Sequence, residues 1–275
     1  MINETLTTLT LPYTDQSSKT VRVFVPAHEE GETFPVVYMT DGQNVFELDK
    51  NTGQLGSWYT REAIRAEKER SGKAAIIVGI HNDEGPMERS CDLTPKAIGT
   101  PQLPPAPNEE IIKMQNLFQP RGEFFGDFVI HTVMPAVEAQ FPVRTGREST
   151  AFCGSSSGGL EALYMALYHA DIFCASGVFS PVPVYLMYHK EEVDRWIGSS
   201  IQTIMPFLYL YVGGEPGIEQ DFAAGMHLLH TSLQECYPQK QIKLVVKPDA
   251  PHHESAWATV FEDFLHIFLT ADKNN

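Results

Sequence analysis

Positive charge is scarce in this chain of 275 residues, with 20 Lys plus Arg against 35 Asp plus Glu and a formal net charge of -15 at pH 7. A surplus of that sign repels polyanions, so neither nucleic acid nor an anionic membrane surface is an expected partner. Cysteine is scarce as well: Cys91, Cys153, Cys174 and Cys236 show no paired spacing, which argues against a disulfide framework and against a zinc knuckle. Long apolar runs are missing, so no bilayer span is expected, and Met1 to Thr20 lacks the charged-then-apolar pattern of a secretory signal. A cytoplasmic location is the resulting expectation. The ten histidines are scattered, only His252 and His253 being adjacent, and neighbours of that kind seldom ligate one ion. Neither a metal nor an organic cofactor is therefore expected.

What the chain does have is an average globular composition, 43% hydrophobic and 20% charged. That is enough apolar material for a single core, and one domain over residues 1–275 is expected. Short β-rich runs recur at Val21 to Val25, Phe34 to Met39, Ala74 to Ile80, Ser149 to Cys153, Ala175 to Phe179, Phe207 to Val212 and Ile242 to Val246. Most are continuously apolar, as strands covered on both faces must be. Amphipathic stretches lie between them: Trp58 to Arg70, Phe124 to Ala139, Gly158 to His169, Phe222 to Cys236 and Ser255 to Leu269. This alternation predicts an α/β fold with a mainly parallel central sheet and helices on both faces.

Two stretches break the rhythm. Residues 83–122 carry seven prolines and little periodicity, yet also Met87, Leu103, Ile111, Ile112, Met114, Leu117 and Phe118. Such a segment is expected to be an ordered lid or pocket wall rather than a plain surface loop. Residues 180–206, with Tyr185, Tyr188 and Trp196, are expected to form an irregular opposite wall.

Gly154-Ser155-Ser156-Ser157-Gly158-Gly159 sits between a strand-like run and a strongly helical one, Leu160 to Tyr168. By composition alone it would suit a flexible linker. A strand, a tight turn and a helix, however, are the setting in which G-x-S-x-G presents a nucleophile, and the glycines two residues either side leave room for the turn. Ser156 is the candidate nucleophile, with the Ser157 N–H at the helix start as a candidate oxyanion donor. A second donor is expected from the loop after the Phe34 to Met39 strand, Thr40-Asp41-Gly42-Gln43-Asn44, where Gln43 N–H is the best placed and an ordinary Asp-Gly turn is the plain alternative.

A serine hydroxyl needs a base, and in this kind of fold the order is serine, acid, histidine. His252 in Lys247-Pro-Asp-Ala-Pro-His-His-Glu254 is the candidate base, ahead of His253. Three carboxylates follow the Phe207 to Val212 strand. Glu215, nearest the strand end, is favoured as the acid, with Glu219 and Asp221 as alternatives. Asn44, Phe46, Trp58, Tyr185 and Trp257 are candidate substrate contacts, although aromatic residues are more often core.

Taken together these residues resemble the putative esterase family of α/β-hydrolases, which includes esterase D, feruloyl esterases and siderophore-trilactone esterases. The likeness runs from the Val21 strand to the last helix. It rests on Asp41-Gly-Gln-Asn44, on Arg89-Ser-Cys-Asp-Leu-Thr-Pro95, on the serine elbow, and on His252-His-Glu-Ser-Ala-Trp257. The last of these resembles a family ending whose first histidine is the base, which implies His252. Departures are Asp92 where the family usually has Glu, Leu93 where it has Tyr, Ser157 where it often has Met, and His253 where it often has Asn. The resemblance implies a serine-dependent carboxylic ester hydrolase acting through an acyl-enzyme on a small-molecule or carbohydrate ester, with acetylated or feruloylated sugars among the expectations. A non-catalytic binding module on the same fold, or an acyltransferase using the same residues, is the alternative.

Overall fold

The computed structural model describes residues 1–47, 56–82, 85–99, 101–102 and 108–271, without the side chains at 86, 110, 111 and 114. The eight described strands form one sheet in the order β1-β2-β4-β3-β5-β6-β7-β8. The strands are β1 (Thr5–Thr14), β2 (Ser17–Val25), β3 (Val36–Met39), β4 (Ile76–Ile80), β5 (Thr150–Ser156), β6 (Ala175–Pro181), β7 (Phe207–Val212) and β8 (Ile242–Val246). From β4 through β3 and on to β8 every pairing is parallel, while β1 and β2 form an antiparallel hairpin joined antiparallel to β4.

The central strands are wholly buried because both faces of the sheet are covered, and the pleat shows by what. Along β6, Ser176 points one way and donates its hydroxyl to the Ala162 carbonyl (2.8 Å) of α6 (Ser157–Tyr168). Phe179, three residues on and so on the other face, packs edge-on to Phe264 of α10 (Glu254–Thr270) at 6.4 Å. Helix α6 is buried along Ser157 to Leu167, apolar nearly all round, as a helix enclosed by protein must be. Helix α1 (Thr60–Ser71) packs beside α10 and ends on Gly72, whose left-handed φ of 74° lets its N–H close on the Lys68 carbonyl.

Two regions differ from the expectation. The hairpin strand β1 is absent from the sequence reading because its apolar residues are diluted among threonines and its outer edge is exposed. Residues 180–206 are largely helical, with α7 (Val184–Met187) and α8 (Lys190–Ser200). Helix α8 carries a single buried stripe, Val193, Trp196, Ile197 and Ser200, at helical spacing, too narrow a signal to stand out beside the prolines that precede it. Tyr188 and Trp196 are buried in the core there. The 83–122 excursion holds α2 (Pro86–Asp92) and α3 (Glu109–Leu117). It is anchored by buried Leu93 and Ile98, whereas Ile112 and Leu117 are exposed; Leu103 and the side chains of Ile111 and Met114 lie outside what is described.

Candidate active site

The parallel strands all deliver their C-terminal ends to one rim, the place where open α/β sheets bind ligands. Ser156 ends β5 and turns directly into α6 with φ 59° and ψ -124°, a conformation costly for any residue with a Cβ. The turn is so tight that a Cβ on Gly154 would lie 2.3 Å from the Gly158 carbonyl oxygen, and one on Gly158 would lie 2.1 Å from Thr40 Oγ1. Only hydrogen fits at either position. The Ser156 side chain does not cap α6, so the first N–H groups of that helix, beginning with Ser157, remain directed at the rim.

Among the described residues, four non-glycine positions have positive φ: Asp41, Tyr59, Ser156 and Ser180. Ser156 pairs across the sheet with Pro181, next to Ser180. Ser180 is fully buried; its hydroxyl donates to Glu219 Oε1 (2.5 Å) and accepts from Trp257 Nε1 (3.2 Å). The same Glu219 oxygen accepts the Gly213 N–H at 2.8 Å, and Glu219 Oε2 lies 2.6 Å from His252 Nδ1. A carboxylate can only accept, so the imidazole proton sits on Nδ1 and Nε2 is left with a free lone pair.

Glu219, not Glu215, is therefore the carboxylate on His252. Helix α9 (Ile218–Cys236) begins after Gly217, whose φ of 120° turns the chain, and its first turn carries Glu219 inward beneath the histidine. Glu215 stands in the loop before that turn, exposed, with its N–H donating to the Ala250 carbonyl at 3.2 Å. Asp221 is also exposed. Gly213 has a further reason to lack a side chain: a Cβ there would meet the Ala250 carbonyl oxygen at 2.3 Å, so the loops after β7 and β8 touch backbone to backbone. His253 is turned away from Glu219, and its Nδ1 accepts the Ser255 N–H as the N-cap of α10.

The loop after β3 closes the other side. Asp41 is buried in the left-handed region (φ 55°), immediately before a short 3-10 turn, Gly42–Asn44. Its carboxylate receives two hydrogen bonds from Arg89 (2.6 and 2.7 Å), one from Asn82 Nδ2 (3.0 Å) and one from Thr40 Oγ1 (3.3 Å). Burial alone would raise this carboxyl, but the Arg89 charge and these hydrogen bonds hold it below the usual carboxylate range. Gln43 Oε1 accepts the Asn82 N–H at 3.2 Å. Asn44 Nδ2 donates to Glu254 Oε1 at 3.0 Å, which ties this loop to the loop carrying His252.

The candidate substrate contacts are placed as follows. Phe46 is fully buried, facing Phe24 and the Arg22 guanidinium. Trp58 (3% exposed) and Trp257 (4% exposed) lie with ring centroids 5.7 Å apart, and Trp257 meets the His252 ring edge-on at 5.1 Å. They form the floor under the histidine, because the rim folds these side chains inward against Phe179 and Phe261. Tyr185 uses its hydroxyl on Asp194 (2.8 Å), joining α7 to α8. Asn44 is engaged as described above. Ser180 and Asn82 lie in no motif of the sequence, and Asp41, Arg89 and Glu254, although they stand in the motifs that carry the family resemblance, had no role assigned to them; the contact between Asp41 and Arg89 spans elements far apart in the chain. A cavity of about 540 Å³ opens at the opposite end of the sheet, beside Ala175 and Phe207 where β6 and β7 begin, and none of the candidate residues lines it. No cluster of three or more metal-ligating side chains occurs among the described residues.

The sequence model described as "Putative esterase" matches residues 14–202, more than half of the chain. The chain belongs to the putative esterase family. By that membership it is a carboxylic ester hydrolase of the α/β-hydrolase type. Solved structures agree on the fold of this esterase. The BES protein from Bacillus cereus superposes with a TM-score of 0.70 at 18% identity, covering 98% of this chain and 97% of its own. The siderophore hydrolase EstB from Aspergillus nidulans gives 0.67 at 18% identity over 98% and 96%. A ferulic acid esterase from Anaeromyces mucronatus gives 0.63 at 21% identity over 97% and 91%. No curated protein sequence matches the chain significantly.

Proposed function

We propose that this esterase cleaves small carboxylic esters by two-step acyl transfer, with Ser156 as nucleophile, His252 as base and Glu219 as the acid that orients it. The observation that carries the reading is the 2.6 Å contact between His252 Nδ1 and the buried Glu219, which fixes the tautomer a general base needs. Ser156 Oγ gives its proton to His252 Nε2 and bonds to the ester carbonyl carbon. The carbonyl oxygen becomes an oxyanion, held by the N–H groups of Ser157 and Gln43. Collapse of that intermediate breaks the ester C–O bond, and His252 passes the proton to the leaving alkoxide. Water then repeats the sequence on the acyl-serine and frees the acid. Glu219 stabilises the imidazolium in both halves.

The substrate class we favour is a small ester of an acetyl or aromatic acid, such as an acetylated or feruloylated carbohydrate. Its support is the family, together with a structural neighbour that is a ferulic acid esterase. Fluorophosphonate labelling tests the mechanism. An adduct on Ser156 and turnover of p-nitrophenyl acetate are expected, both lost in Ser156→Ala by about 10³-fold or more. Wild-type protein that takes no label and turns over no ester defeats the reading. A panel from acetyl to feruloyl esters, run on the same protein, ranks the acyl group.

A further inference from the structure

We infer that Arg89 is a positioning residue: its guanidinium holds Asp41, and through Asp41 the backbone N–H of Gln43, where that N–H meets the oxyanion formed at Ser156. The inference rests on the proposed hydrolase reading and adds to it a role for a side chain on α2, outside the triad and the two donors.

Four observations converge on this arginine. First, Asp41 is held in a left-handed conformation (φ 55°) that a residue with a Cβ adopts at a cost, and the next residues are the Gly42–Asn44 turn carrying the donor. Something must hold that conformation. Second, the Arg89 fork meets the Asp41 carboxylate through both Nε and Nη2 at 2.6 and 2.7 Å, a two-point contact that fixes orientation as well as distance. Third, the loop is pressed from both sides and has little slack. Gly42 lies against Gly79 of β4, where a Cβ would come within 2.3 Å of the Gly79 carbonyl carbon, and Thr40 fills the space beside Gly158 of the elbow. A shift of Asp41 is therefore passed to Gly42 and Gln43, or to the elbow itself. Fourth, the other end of the turn is fixed independently, since Asn44 Nδ2 donates to Glu254 Oε1 at 3.0 Å, two residues from His252, which leaves Asp41 as the end that Arg89 holds.

The pair is half-buried, with 26% of the Arg89 side chain and 7% of the Asp41 side chain exposed, so solvent weakens it less than a surface pair. The Asp41 carboxylate is filled by Arg89, Asn82 and Thr40, which suits a structural anchor and not a group awaiting substrate. Lysine could supply the charge but not the fork, so Arg89→Lys should be intermediate.

The test uses the full chain and the variants Arg89→Met, Arg89→Lys and Asp41→Asn. The measurements are kcat and KM on p-nitrophenyl acetate, the rate of fluorophosphonate labelling, amide hydrogen exchange at Gln43 and Ser157, and Tm. Losing one oxyanion donor outright costs about 10²–10³ in kcat. A misplaced donor should cost roughly 10- to 100-fold, in kcat and labelling rate together, with KM within about three-fold of wild type. Exchange at Gln43 should accelerate at least ~10-fold while Ser157 is unchanged, and Arg89→Lys should recover part of each loss. Asp41→Asn keeps the shape of the side chain and decides the matter if Arg89→Met folds poorly. The inference is overturned if kcat and Gln43 exchange stay at wild-type values. It is equally overturned if KM rises alone, which would make Arg89 a substrate contact, or if Gln43 and Ser157 loosen equally, which would be general destabilisation. Wild-type protein with no esterase activity and no label would sink the hydrolase reading by itself, and Gln43 exchange would still decide whether Arg89 holds the loop.

Discussion

A carboxylate taken out of water is costly unless its lone pairs are occupied, and Glu219, 1% exposed, has them occupied by Ser180 Oγ, the Gly213 N–H and His252. That arrangement fixes the rotamer of Glu219 and, through the Nδ1 contact, the orientation of the His252 ring. Glu219→Gln keeps the shape but offers His252 an amide in place of a charge, so kcat on p-nitrophenyl acetate should fall about 10³–10⁴-fold with little change in Tm. Glu215→Gln, altering an exposed side chain four residues away, should stay within about two-fold of wild type. Equal losses in the two variants would refute the assignment. The contrast also shows what was legible at this scale. Ser156 and His252 stand in local patterns whose neighbours announce them. The acid was narrowed to three residues by chain order and no further, since the choice depends on where α9 begins, and that is set by the turn at Gly217.

Among the elements, strands β3 to β7 were readable because burial on both faces leaves a continuous apolar signature, and β2 and the edge strand β8 through the apolar runs Val21 to Val25 and Ile242 to Val246, while β1, also at an edge, has its apolar residues diluted among threonines. The loop after β3 was recognised as a turn, but its Arg89 clamp comes from α2, 48 positions away in sequence. Contacts of that separation leave no periodic trace. The elbow is the element most constrained by its surroundings: strand end, helix start and Thr40 meet with no space for a methyl group. Gly154→Ala should therefore force backbone to move against backbone, destabilising the protein by about 1–3 kcal/mol and lowering activity further than the folded fraction explains, because Ser156 moves with the strain. Thermal unfolding followed by activity per folded molecule checks both parts. Wild-type stability in this variant would mean the turn is looser than the contacts imply.

For the molecule as a whole, the acidic excess makes stability depend on pH from two directions. Glu4 is held at about 2, chiefly by its hydrogen bond with Arg65, and Asp41 is likewise held low. Such groups add stability that is present above the unfolded carboxyl range near 4 and is lost as pH falls through their folded values. Glu161 works in the opposite sense. It lies on α6, fully buried, with no hydrogen-bond partner for either carboxylate oxygen among the described residues, and a Cβ on Gly122 would come within 2.5 Å of it. Burial first, then the neighbouring charges of Glu123 and Asp92, push its carboxyl well above the ordinary value. The folded chain therefore holds a proton there that the unfolded chain has released, and each pH unit between the two values costs about 1.4 kcal/mol. Glu161→Gln keeps the shape without the ionisation. Its Tm relative to wild type, followed from about pH 5 to pH 8, should increase with pH for as long as wild type keeps the proton, at roughly 2–4 °C per kcal/mol for a chain of about this size. A difference in Tm that stays flat across that range would show that Glu161 is not held protonated, and that the buried side of α6 is better solvated than its contacts indicate.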